Sequence, residues 1–263
     1  STSPVEKEPA PGDTGAKLVY MSCVVREQNM ELVILGVFLL FGSGACQLKN
    51  VPECNDAEIE SCGEQFVAFA HGPRVAETLS ELEESCRLEL KGLACARNYA
   101  ERCLVGFFRG AAFTALTTLK EEMDRKCDSS HPNHKRYLEN AHCLNKAGER
   151  IHKCVELFKE ELYTVALKAA TRKRIPYGCC AYNGLFRCKQ ESLEQACGDP
   201  KTIQLVHETA EHVLGDLVKV FCGRYESGSS DCKSLGKLPT LAANETAPRS
   251  FILLLKAFVT TLP

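Results

Sequence analysis

Cysteine is the residue that most limits what this chain can become. Sixteen of the 263 positions are cysteine, and from Cys54 onward their spacing repeats. Steps of 8, 24, 9, 8 and 24 residues lead through Cys62, Cys86, Cys95, Cys103 and Cys127. From Cys143, steps of 11, 26, 8, 9 and 25 lead through Cys154, Cys180, Cys188, Cys197 and Cys222. Five successive intervals agree to within three residues, and such self-similarity predicts two six-cysteine modules in tandem. Leu93-Ala94-Cys95 stands opposite Leu185-Phe186-Arg187-Cys188 in this alignment. Cys179 and Cys232 are left over together and are expected to bond to each other as a clasp on the second module. Every other cysteine is expected to pair inside its own module, with the connectivity open, since six cysteines admit fifteen arrangements.

No Cys-x-x-Cys pair of the kind used by metal knuckles occurs, so the cysteines favour disulfides and an oxidising, extracellular setting. A formal net charge of -2, with 44% hydrophobic and 25% charged residues, excludes a polybasic nucleic-acid binder, a collagen-like chain and a wholly disordered one. Between the cysteines the apolar residues keep a helical three-four rhythm. Phe113, Leu116, Leu119 and Met123 do so in the first module; Val155, Phe158, Leu162, Val165 and Ala169, then Ile203, Val206, Ala210, Val213, Leu217 and Phe221, do so in the second. Breaks are expected at Gly72-Pro73, Gly92, residues 128–132, Ile175-Pro176, Gly198-Asp199-Pro200 and residues 228–230. The fold class expected is therefore all-α, a disulfide-rich helical bundle with roughly four helices in each of two tandem six-cysteine modules. Cysteines eight or nine apart on one helix point about 80° to 180° apart, so each must reach a different neighbour.

The ends read differently. Residues 1–29 form a leader expected to lie outside the mature protein, with Met21 or Met30 as the true start. Residues 30–46 resemble a signal peptide, an apolar run from Leu32 to Phe41 followed by Gly42, Ser43, Gly44 and Ala45. Cysteine parity then prefers a mature start at Gln47. Residues 47–127 are the first module, 128–134 the linker where proteolysis is expected to separate two stable halves, and 135–232 the second module. The tail, 233–263, ends in an apolar stretch expected to dock as a terminal helix, with a glycosylphosphatidylinositol signal as the minor reading. Asn244-Glu245-Thr246 is a glycosylation sequon.

Candidate chemistry fails on spacing. His207 and His212 flank two glutamates as in a zinc-protease helix, but they are five apart where that motif needs four, so their rings diverge and a solvated polar face is expected. His131, His134 and His142 cluster near the linker without a recognised ligand spacing. Cys179-Cys180 lacks the His-Asp dipeptide that a secreted phospholipase places after its paired cysteines, and the close cysteine openings of saposins and insect odorant-binding proteins are absent. No catalytic, cofactor or metal residue is assigned. Arg172, Lys173 and Arg174, with Lys168, form the one compact basic cluster, a candidate contact for anionic glycans or lipid headgroups. The rival to a binding protein is a hydrolase assembled from His71, His142, Glu81, Glu83 and Glu84.

The repeated six-cysteine rhythm, and the segment Tyr182-Asn183-Gly184-Leu185-Phe186-Arg187-Cys188, resemble the 27 kDa hemolymph glycoprotein family of insects and related secreted proteins of ticks. The resemblance covers Cys54 to Cys232; the insect members' segment between modules is not recognisable. It implies a secreted helical glycoprotein of hemolymph or saliva and carries over no catalytic residues. The expected function is a non-enzymatic extracellular binding protein whose partner is an apolar small molecule or a host or self protein.

Overall fold

The computed structural model describes residues 54–62, 65–225, 228–248, 250–259 and 261. The leader, the signal-peptide segment and the start at Gln47 lie outside them. Among the described residues the regular structure is helical throughout.

Local chemistry sets the helix ends. The Asn55 side chain accepts from the Glu58 amide at 2.8 Å and starts α1, Asp56–Ser61. Thr78 and Glu81 form a reciprocal capping box at the head of α2, Leu79–Cys103. After α3, Gly106–Cys127, the His131 ring caps α4, Pro132–Lys146, whose first turn tolerates Pro132 because that amide has no helical partner. The expected linker 128–134 is thus shorter than its sequence implied: its last three residues are already helix. Then come α5, Gly148–Lys168, a 3₁₀ turn at Thr171–Lys173, and α6, Arg174–Ala196. Ile175-Pro176 does not break the chain, for the same reason that Pro132 does not. Gly198 at φ +58° reverses the path, and Asp199 caps α7, Pro200–Cys222. Two short helices follow, α8 at Ser230–Ser234 and α9 at Phe251–Val259.

Gly92 is a second correction. It sits inside α2, where a Cβ would lie 3.0 Å from the Cys62 carbonyl, so the glycine serves the close approach of α1 and not a break.

Three apolar clusters hold the helices. Ile59, Phe66, Leu93, Tyr99 and Met123 form the first, touched by Ile252 and Leu253 of α9. Phe69, Leu144, Ile151, Val155 and Leu193 form the second, and Phe158, Leu162, Ala181 and Leu254 the third. Leu254 is fully buried, so the apolar tail docks, and that single side chain contributes about 1.5–3 kcal/mol of burial. Phe69 precedes α2 but belongs to the second cluster, and its neighbours follow it. The Asn145 side chain bridges both backbone polar groups of Val75, and the Tyr137 hydroxyl donates to the Ala76 carbonyl at 2.8 Å. Residues of the first cysteine series thereby complete the core of the second. The expectation of two halves separable by proteolysis at 128–134 does not fit this shared core.

All fourteen cysteines from Cys54 to Cys232 are bonded. The first series pairs Cys54–Cys103, Cys62–Cys95 and Cys86–Cys127; the second pairs Cys143–Cys197, Cys154–Cys188 and Cys179–Cys222, and Cys180–Cys232 is the added clasp. The expected bond between Cys179 and Cys232 is therefore wrong by one residue. Cys179, nine residues before Cys188, takes the direction around α6 that Cys86, nine before Cys95, takes around α2.

One glycine tests the join between the second core and the segment leading to α2. A Cβ on Gly148 would fall on the Pro73 carbonyl oxygen, which is backbone and cannot step aside, whereas a Cβ on Gly72 meets nothing within 4 Å. Gly148→Ala is expected to cost about 1–3 kcal/mol, and Gly72→Ala to stay within about 0.5 kcal/mol of the parent, in urea unfolding with disulfides intact. Equal stabilities of the two variants would contradict the packing described.

Candidate functional site

α6 and α7 are antiparallel neighbours joined by Cys197-Gly198-Asp199. The buried Thr202 hydroxyl lies 2.8 Å from the Asp199 carboxylate and 2.6 Å from the Asn140 side-chain oxygen of α4, its one proton shared between them, which fixes the start of α7. Further along, the two helices part and leave an open groove of about 560 Å³. Tyr182, Phe186 and His207 give it an aromatic wall, with ring centroids 4.8 Å apart for the first pair and 6.1 Å for the second. Ala210, Gly215 and Val218 line the α7 side. Burial pushes the Tyr182 phenol up to about 12.

The polar rim of the groove is paired within itself. Gln190 Nε2 donates to Glu194 at 2.8 Å, and its Oε1 lies 3.3 Å from His207 Nε2. Arg187 stands 3.8 Å from Glu191, and Lys219 is 3.1 Å from Glu211. The arrangement is an open groove of mixed character, in which Tyr182, Phe186, Ala210 and Val218 make a small apolar patch among polar and charged side chains, several of them paired with one another. Lys189 approaches the Phe186 ring at 5.9 Å, and burial lowers its ammonium to about 8.

The histidines singled out from sequence are scattered. His207 faces α6, and His212 faces α3, where it lies 3.4 Å from Glu121 and 3.7 Å from Glu122. The two rings diverge: His207 is exposed together with Glu208 and Glu211, as a solvated face requires, whereas His212 is partly buried against α3. His134 is buried, with Nδ1 2.8 Å from the Lys126 carbonyl; His131 is the cap of α4. His142 is exposed and sits 2.7 Å from Glu77. The Asn145 amide and His142 together hold the Glu77 carboxyl below the usual carboxylate range. Among the described residues, no group of three or more His, Cys, Asp or Glu is placed to hold a metal ion.

The residues named for a hydrolase do not converge on His142. Glu81 is occupied by the backbone amides of Glu77 and Thr78 at the head of α2, Glu84 pairs with Arg87 at 2.5 Å, and His71 and Glu83 are exposed elsewhere. The basic cluster is also partly consumed. Lys168 pairs with Glu245 at 2.6 Å, and Arg174 donates to the Thr261 and Ala169 carbonyls, which leaves Arg172 and Lys173 exposed. Asn244 is exposed in a turn closed by reciprocal bonds between Ala242 and Glu245, each 2.8 Å.

Two features were missed in the sequence: the parting of α6 and α7, and the polar seam of α3 against α7. The signal for the first was the aromatic pair Tyr182 and Phe186 on one helix face. The second had none, because Glu121 and His212 are far apart in the chain.

These residues define a disulfide-rich all-α protein with an aromatic surface groove, and no helix among them is long and apolar enough to cross a membrane. Its disulfides fit an extracellular setting. Comparison with protein-family models, curated proteins and solved structures gave no match.

Lys189, outside the groove but 5.9 Å from the Phe186 ring, probes how α6 is packed beside it. In protein whose lysines are reductively methylated with ¹³C, one dimethyl-lysine resonance is expected to titrate near 8 and to vanish in Lys189→Arg. Titration of every lysine signal near the ordinary value of about 10.4 would contradict the burial described.

Proposed function

We propose that this is a secreted, non-enzymatic binding protein built from two tandem helical repeats, and that its ligand is a small apolar or aromatic molecule held between α6 and α7. The observation that carries the reading is the groove: its volume of about 560 Å³ lies inside the range of about 300–1,000 Å³ typical of small-molecule sites.

The repeat reading rests on the disulfides. With Cys179 as third member of the second series, both series join first to fifth, second to fourth and third to sixth. α2 then corresponds to α6, and α3 to α7. Counted from Cys95 and Cys127, the positions matching Phe186 and Val218 are Leu93 and Met123, and both of these are buried in the first cluster. The first repeat fills the space that the second leaves open. One ligand per chain follows.

The absence of convergence around His142 favours binding over hydrolysis, and the exposed turn at Asn244 suits N-linked glycosylation of a secreted chain. The resemblance to the 27 kDa hemolymph glycoprotein family agrees with such a role. With only Arg172 and Lys173 left exposed, the basic cluster supports at most weak contact with anionic glycans or lipid headgroups.

Native mass spectrometry of protein from secreting cells tests the assignment. A co-purifying small molecule is expected at one per chain, lost on Phe186→Asp while the seven disulfides and the helical signal persist. Retention of that mass by the variant, or a protein adduct in its place, would overturn the small-molecule reading. Turnover in a substrate panel abolished by His142→Ala would overturn the non-enzymatic one.

A further inference from the structure

Lysine and arginine stand next to one another at three places in the chain: Arg125-Lys126, Lys135-Arg136 and Arg172-Lys173-Arg174. An endoprotease with a carboxylate at the base of its specificity pocket needs such a cation on an exposed segment that can be drawn out straight, because its cleft binds extended backbone. The three places differ in that respect.

The first two pairs lie inside helices, and their side chains are engaged. Lys126 of α3 is paired with Glu89 of α2, and Arg125 reaches Glu122 at 3.0 Å. In α4, Lys135 lies 3.7 Å from Glu139, and Arg136 is paired with Glu208 of α7. The third run occupies the turn between α5 and α6. Residues 170–173 are exposed there, and among the described residues Arg172 and Lys173 have no ion-pair partner.

That turn is also weakly held. α6 has no side-chain cap and no acidic residue in its first turn, so the positive end of its dipole faces the cations of the run. The first amides of a helix have no partner within it, and Pro176 has none to offer. The backbone bonds of the turn run from the Lys173 amide to Ala170 at 2.7 Å and from the Arg174 amide to Thr171. Side-chain ties begin only at Arg174, which donates to the Ala169 and Thr261 carbonyls. Opening residues 170–173 therefore breaks little, whereas drawing a basic pair out of α3 or α4 breaks a helix, and proteolysis follows the segment that opens most often.

The disulfides decide what a cut in this turn leaves behind. Cys54–Cys103, Cys62–Cys95 and Cys86–Cys127 close upstream of it, and Cys179–Cys222 and Cys180–Cys232 close downstream. Cys143–Cys197 and Cys154–Cys188 cross it. The cores that join Val155 with Leu193, and Phe158 and Leu162 with Ala181, span it as well. Pieces on either side of the cut stay together.

We propose that the Lys173–Arg174 bond is a processing site for a trypsin-like endoprotease, and that the product is a folded two-chain protein joined by Cys143–Cys197 and Cys154–Cys188. Lys173 supplies the cation for the acidic pocket of the protease, with Arg172 beside it. The amide bond between Lys173 and Arg174 breaks and one water is consumed. Its hydroxyl goes to the Lys173 carbonyl carbon, which becomes a carboxylate, and its proton to the Arg174 nitrogen, which becomes a new amino terminus at the start of α6. The site is independent of the groove between α6 and α7.

Brief digestion of the purified full chain, disulfides intact, with a low proportion of trypsin tests the proposal, read by amino-terminal sequencing and by gels with and without reductant. A terminus reading Arg174-Ile175-Pro176-Tyr177 is expected before any at the basic pairs of α3 and α4. The pieces flanking that cut are expected to separate only on reduction, with the helical signal retained until then. The double variant Arg172→Gln/Lys173→Gln, changed at two exposed positions, leaves the enzyme only the anchored Arg174 and is expected to stay uncut in this turn over the same period. Earlier cleavage within α3 or α4, flanking pieces that part before reduction, or cleavage of the double variant in this turn at the parent's rate would overturn the proposal.

Discussion

The structure depends on one arrangement: a central helix with three cysteines spaced eight or nine residues apart, so that each faces away from the one before it. On α2 these are Cys86, Cys95 and Cys103, bound to the end of α3, to Cys62 just after α1, and to Cys54. On α6 the same part is played by Cys179, Cys188 and the capping Cys197, bound to the end of α7, to α5 and to α4. A step of eight or nine residues turns a helix by about 80° or 180°, so successive cysteines face different ways. α2 thereby clamps both ends of α1 and the end of α3, and α6 reaches α7 and α4 from one side at opposite ends and α5 from the other. The closed loops span 33 to 54 residues, long enough that each bond restricts the unfolded chain by about 2–4 kcal/mol on the chain-entropy view.

Such strapping fixes which helices are neighbours but leaves their separation to side chains. Between α2 and α3, Leu93 and Met123 fill the contact; between α6 and α7, the bulkier Phe186 stands beside Tyr182 and His207, and the pair is held apart as a groove. Across α3 and α7 no strap runs, and the contact rests on Thr118, Val213 and the charges around His212. The covalent frame thus leaves freedom at two places, both on α7.

Much of this was legible in the sequence. The cysteine rhythm and the helical stripes through Val155 to Ala169 and Ile203 to Phe221 define the helices that carry the straps, and the docked tail was expected from its apolar run. The choice between Cys179 and Cys180 was misread, although only Cys179 reproduces the nine-residue step of Cys86 to Cys95 and hence its direction. What periodicity could not reveal is long-range. Phe69 and Val75 look like loop residues before α2, yet they complete the core around Leu144 and Ile151 and bond to Asn145. Gly92 looks like a break, yet a neighbouring carbonyl requires it inside a helix. The candidate site follows the same division: its aromatic residues were visible, but their exposure depends on how far α7 stands from α6.

The pairing order is the claim on which the rest stands, and partial reduction with stepwise alkylation, followed by peptide mass spectrometry able to cut between Cys179 and Cys180, measures it directly. The expected result is Cys179 bonded to Cys222 and Cys180 to Cys232, with Cys143–Cys197 and Cys154–Cys188 repeating the order of Cys54–Cys103 and Cys62–Cys95. A bond from Cys179 to Cys232, or any bond joining the series from Cys54 to Cys127 with that from Cys143 to Cys232, would contradict it.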